Sequence, residues 1–96
     1  MKTVTICGSM RFAKQMQDIE VELETKRGWC VFQPIGDANT ELSAEDLKCL
    51  AAAHYKKIDL SDAVYIVNIG GYIGNSVTQE LQYAKEHGKE IIFHEV

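Results

Sequence analysis

Ala63-Val64-Tyr65-Ile66-Val67 runs into Asn68-Ile69-Gly70-Gly71-Tyr72-Ile73-Gly74, and this stretch decides the fold. The first five residues are apolar or aromatic without a break, which reads as a strand buried on both faces of a parallel sheet. The glycine-rich loop ends it. Val77, Leu81 and Ala84 then share one stripe of a helix that runs to His87 and stops at Gly88. Ser76-Val77-Thr78-Gln79 fits a capping box with Ser76 as the cap. Ile91-Ile92-Phe93 reads as the next strand.

The same alternation extends toward the N-terminus. Val4-Thr5-Ile6-Cys7 is a β-branched strand that stops at Gly8-Ser9. Phe12, Met16, Ile19 and Leu23 recur at helical spacing, with Lys26 and Arg27 in the last turn and Gly28 as the stop. Trp29 to Phe32 is a second strand, ended by Pro34, and Gly36 to Leu42 is a polar loop. Ser43, with Asp46 three residues on, marks a helix entry, and Leu47, Ala51, His54 and Ile58 form its stripe. The expected fold is α/β: a three-layer, doubly wound, flavodoxin- or Rossmann-like sheet of about four parallel strands, order 2-1-3-4. Residues 1–96 form one domain on this reading.

Composition narrows the function. The formal net charge is -4, which disfavours nucleic acid, because phosphate neutralisation needs clustered Lys and Arg. No apolar run approaches the roughly 20 residues of a membrane span, and the N-terminus lacks the features of a signal peptide. Cys7, Cys30 and Cys49 cannot all pair and show no C-x-x-C spacing, so neither a disulfide nor a zinc site is expected. Reduced thiols suit the cytoplasm.

In doubly wound sheets ligands bind beyond the carboxyl ends of the strands, where the strand order reverses. Those ends carry Gly8-Ser9 and Asn68 through Ser76. Cys7-Gly8-Ser9-Met10-Arg11 fits two readings. One is a plain strand-to-helix turn capped by Ser9. The other is an anion cradle to which Ser9 and Arg11 add donors. Glu80 sits on the edge of the inward stripe beside the glycine-rich loop, as a dipole partner or as a working carboxylate. His54 lies mid-stripe, where a hydrogen-bonded core histidine and a functional one both fit. Tyr72 reads either as an exposed loop residue or as a lid over a base.

Taken together, these residues resemble a known family. Cys7 to Arg11 is similar to the Cys-Gly-Ser-Ile-Arg of 2'-deoxynucleoside 5'-phosphate N-hydrolases. Ser61 to Val67, the Gly70–Ser76 loop, Gln79 to Ala84 and Gly88-Lys89-Glu90-Ile91 resemble the second half of nucleoside 2-deoxyribosyltransferases. The likeness covers both ends of the chain and lapses from about residue 33 to residue 52. It implies that Glu80 matches the family's nucleophile. It also implies that Gly8, Ser9, Met10 and Arg11 contact the 5' end of the sugar or its phosphate. Gly71, Tyr72, Gly74, Asn75 and Ser76 join them as substrate contacts from the second loop.

The implied reaction is cleavage or transfer of the N-glycosidic bond of a nucleoside or its 5'-monophosphate through a glycosyl-enzyme intermediate. It needs no metal or other cofactor. The alternative is a non-catalytic nucleotide-binding or sensing domain of the same fold. Three departures from the family pattern involve four positions. His54 stands where relatives carry the Asp that serves proton transfer to the base, and a histidine could do that work. Gly74 and Ser76 replace a Ser or Asp and a Gly. Thr5 replaces an aromatic hydroxyl. A homodimer or larger assembly is expected from the resemblance and from the final strand, an open edge carrying Ile91, Ile92 and Phe93.

Overall fold

A computed structural model describes residues 1–34 and 41–96. The greater part of the predicted polar loop, residues 36–40, lies outside the described residues. Four parallel strands, β1 (Thr3–Cys7), β2 (Cys30–Phe32), β3 (Ala63–Ile66) and β4 (Glu90–Phe93), form one sheet in the order β2-β1-β3-β4. The helices are α1 (Ala13–Lys26), α2 (Ala44–Asp59) and α3 (Asn75–Glu86). The doubly wound α/β architecture is the expected one, strand order included. β1 is central: Val4 pairs with Val31 on one side and with Ala63 on the other.

Alternation along the strands divides the core. Ile6 and Val67 join Met16, Ile19 and Leu23 of α1 with Val31 of β2 in one buried cluster. Cys7, Val64 and Ile66 point the other way, onto Ile58 of α2 and Val77 and Ala84 of α3. A single helix therefore packs on the first face and two on the second. Thr5, fully buried on the second face, shares a 2.6 Å hydrogen bond with Ser61, whose hydroxyl is also 2.8 Å from the Lys57 carbonyl oxygen.

Two local readings are corrected. α3 begins one residue before Ser76, at Asn75, with Gly74 as its N-cap and no side-chain cap. The hydroxyl of Thr78 instead donates back to the Gly74 carbonyl at 2.9 Å, and Ser76 lies within the first turn. Ser-x-x-Gln imitates a cap, but the chain already turns at glycine. The stripe predicted for α2 is buried only at His54 and Ile58, while Leu47 and Ala51 remain exposed. The capping box itself is present: Ser43 Oγ accepts from Asp46 N–H and the Asp46 carboxylate accepts from Ser43 N–H, both at 3.0 Å. These bonds hold the exposed Asp46 carboxyl below its usual range. β4 is an edge strand with Ile91 and Ile92 half-buried and Phe93 exposed.

Candidate functional site

The carboxyl end of β1 determines what can approach it. A Cβ on Gly8 would lie 2.6 Å from Met16 Sδ and 3.0 Å from Val67 Cβ, so any side chain here would force Met16 of α1 to shift. Beyond it the chain enters a 3-10 turn, Met10–Phe12, before α1 begins. Ser9 caps this turn, its hydroxyl accepting from Arg11 N–H at 3.3 Å. The expected capping role of Ser9 is thereby observed.

The second loop is anchored from behind. Asn68 Nδ2 donates to the Glu95 carbonyl at 2.9 Å, and Glu95 N–H returns a bond to Asn68 Oδ1 at 2.7 Å. Gly70 N–H donates to the Glu95 carboxylate at 3.0 Å. Gly70 and Gly71 adopt φ of 66° and 79°, a conformation side chains disfavour.

Between these loops and α2 lies a pocket of about 300 Å³. Gly8, Met10, His54, Ser76 and Glu80 line it, all of them foreseen from the sequence. Leu47, Leu50, Ala51 and Ala53 supply a mostly apolar wall, with Pro34 and Lys57 completing it. Sequence reasoning missed that wall. The exposed half of α2 overhangs the pocket instead of joining the core, and a helical stripe looks the same in either use. Lys57 Nζ donates to the Gln33 carbonyl at 2.9 Å.

Ser9, Arg11, Gly71, Tyr72, Gly74 and Asn75 do not line the pocket. The Arg11 guanidinium lies 3.8 Å from the centre of the Tyr72 ring, a cation–π contact, and Phe12 meets the same ring edge-on. Among the described residues Arg11 makes no ion pair.

The chemistry concentrates where the two loops meet α2. His54 Nε2 is 3.1 Å from Glu80 Oε1, with the two side chains only 7% and 15% exposed. The same nitrogen is 3.7 Å from Cys7 Sγ. Among the described residues His54 Nδ1 is buried without a hydrogen-bond partner. Burial pushes the Cys7 thiol well above its ordinary pKa, and the Glu80 carboxylate adds to the effect. Cys7 is therefore a neutral thiol rather than a nucleophile. Thiol, imidazole and carboxylate are also three metal-capable groups, with ligand atoms all within 4.8 Å of one another. The sequence spacing of the cysteines does not reveal this grouping.

A roomier hollow, about 370 Å³, lies against α1 and β2 and is lined by Gln17, Glu20 and Gln33 among others. Gln33 Nε2 hydrogen-bonds to Glu20 there, and the carboxylate is already engaged. The smaller pocket holds the half-buried Glu80 carboxylate, paired with His54 and open to the pocket, so it is the candidate site. Among the described residues no helix is long and apolar enough to cross a membrane. No protein-family model matches the chain, and no curated protein matches it.

Proposed function

We propose that the protein cleaves or transfers the N-glycosidic bond of a nucleoside or its 5'-monophosphate, with Glu80 as the nucleophile. One observation carries the reading: among the described residues Glu80 is the one carboxylate lining the pocket, and His54 holds it at 3.1 Å. Glycosidases that expel a poor alcohol leaving group pair two carboxylates, one of them an acid. A single carboxylate suits a leaving group that departs more readily, as a nucleobase does. The apolar wall from Leu47 to Ala53 suits a flat base. The resemblance of both loops to nucleoside 2-deoxyribosyltransferases and nucleotide N-hydrolases supports the same choice.

In this mechanism a Glu80 oxygen attacks C1' of the sugar while the C1'–N bond breaks and the electron pair leaves with the base. Water or a second base then takes the glycosyl group from Glu80. His54 acts as a positioning residue. Its Nε2–H donates to Glu80 Oε1 and fixes the carboxylate in place. That nitrogen is engaged with Glu80, which disfavours the expected role as proton donor to the base. Gly8, Met10 and Lys57, which line the pocket, are the candidate contacts for the 5' end. The assembly proposed is a homodimer, supported by the apolar β4 edge and by the exposed Phe93.

The test is chromatography of free base after incubation with a panel of ribo- and deoxyribonucleosides and their 5'-monophosphates. Base release from at least one member is expected. No release from any member would overturn the enzymatic reading and leave a nucleotide-binding domain, which calorimetry with the same panel would detect.

A further inference from the structure

The end of β1, the inner face of α2 and the second turn of α3 bring Cys7 Sγ, His54 Nε2 and Glu80 Oε1 together. Neighbouring ligand atoms are 3.7 Å and 3.1 Å apart, and all three lie within 4.8 Å of one another. Zinc bonds of roughly 2.0–2.3 Å at tetrahedral angles place ligand atoms about 3.3–3.6 Å apart. The two neighbouring separations meet that requirement to within a few tenths of an ångström. Cys7 and His54 are buried and Glu80 is half-buried, so the donors are held by the core and not by mobile surface chains.

Charge and donor type select the ion. A thiolate and a carboxylate beside a neutral imidazole carry two negative charges, which a divalent cation cancels. A sulfur and nitrogen donor set excludes magnesium and calcium, which take oxygen ligands. We propose that Cys7, His54 and Glu80 form a binding site for a thiophilic divalent metal ion, zinc being the ion whose coordination they fit. On binding, the Cys7 thiol releases its proton to solvent, the His54 proton moves from Nε2 to Nδ1 so that Nε2 is free to ligate, and Glu80 binds as the carboxylate.

Three protein ligands leave a fourth position for water or another small ligand, and two of the three, His54 and Glu80, line the pocket. His54 Nδ1 has no protein acceptor among the described residues, so the ring lacks the outer support usual for a metal ligand. Loss of such support lowers affinity by about 10–100-fold, which makes this a reversible site. The metal site does not rest on the glycosyl-transfer reading. The two compete for the same oxygen, so a bound metal blocks attack by Glu80.

Cobalt(II) is the probe, added to the reduced full chain. The expected result is one equivalent bound, with a thiolate-to-cobalt charge-transfer absorption and the intense visible bands of tetrahedral cobalt, both erased by zinc. Cys7→Ser removes the charge-transfer absorption, and Cys49→Ala leaves the spectrum unchanged. Glu80→Gln weakens binding about tenfold or more. A wild-type spectrum without the thiolate absorption, or one that survives Cys7→Ser, overturns the proposal. If Cys7→Ser does not fold, the Glu80→Gln titration decides, and unchanged cobalt affinity there overturns it. None of these readouts uses base release, so failure of the enzymatic reading leaves them interpretable.

Discussion

The two faces of the sheet differ in chemistry as much as in cover. Against α1 the buried cluster is wholly apolar: Ile6, Met16, Ile19, Leu23, Val31 and Val67. Against α2 and α3 a similar apolar cluster is edged by Thr5 with Ser61, by Cys7, and by the His54–Glu80 pair. Polar groups inside a core are tolerated only when paired, and each pairing constrains the geometry around it. One face holds the fold, and the other also carries a preset arrangement of reactive groups. If that division is real, substitutions on the two faces should fail in different ways.

The largest expected effect is on rate and comes from the second face. Glu80→Ala should reduce base release by at least about 10³-fold while the protein stays folded. Near-wild-type release from the variant would remove the nucleophile assignment. The next effect is on stability and comes from the first face. Ile6→Ala should lower the unfolding free energy by about 2–5 kcal/mol in urea denaturation. Protein that remains folded should keep its turnover per molecule, because Ile6 faces away from the pocket. A loss of turnover in that folded fraction would mean that the faces are not separable.

Gly8 joins the two faces and should show both failures. Gly8→Ala forces a methyl group against Met16 and Val67, so an overpacking loss of about 1–3 kcal/mol is expected. Ligand affinity should fall as well, because the pocket wall shifts with it. Stability equal to wild type would show that Met16 yields freely.

The smallest effect should be remote from both. Ser43→Ala removes the α2 cap and should destabilise by about 1 kcal/mol. Asp46 gives this an acid signature. Its folded carboxyl titrates below the ordinary value, so its contribution is present above the unfolded pKa and is lost as pH falls through the folded one. The gap between wild type and Ser43→Ala should therefore narrow in strong acid, as measured by helix melting. A gap that stays constant would mean that the charge on Asp46 adds nothing to the cap.

The order of strands was legible because Val4 to Cys7 and Ala63 to Val67 are apolar runs closed by turn residues, with helical stripes between them. Glu80 was legible because a carboxylate on an inward stripe is rare enough to notice. The Gly74 cap was not, since a residue without a side chain gives no capping signal and Ser76 imitated one. The Cys7–His54 contact spans 47 residues. Nothing local marks it, because a cysteine inside a strand reads as a small apolar residue. Leu47 and Ala51 misled for a related reason: periodicity shows that a helix has an apolar side, not whether core or cavity receives it.

The bonds from Asn68 and Gly70 to Glu95 have a mechanical consequence. They clamp the root of the glycine-rich loop to the continuation of β4, and β4 is itself laddered to β3. The root of the loop is therefore pinned from one side, through the sheet. Gly71 through Gly74 extend beyond that anchor, with the exposed Tyr72 among them. Arg11, stacked on that ring, ties the loop from the other side, to the turn after β1. The two turns that border the pocket are thus braced against each other by one cation–π contact, while the sheet carries the remaining constraint.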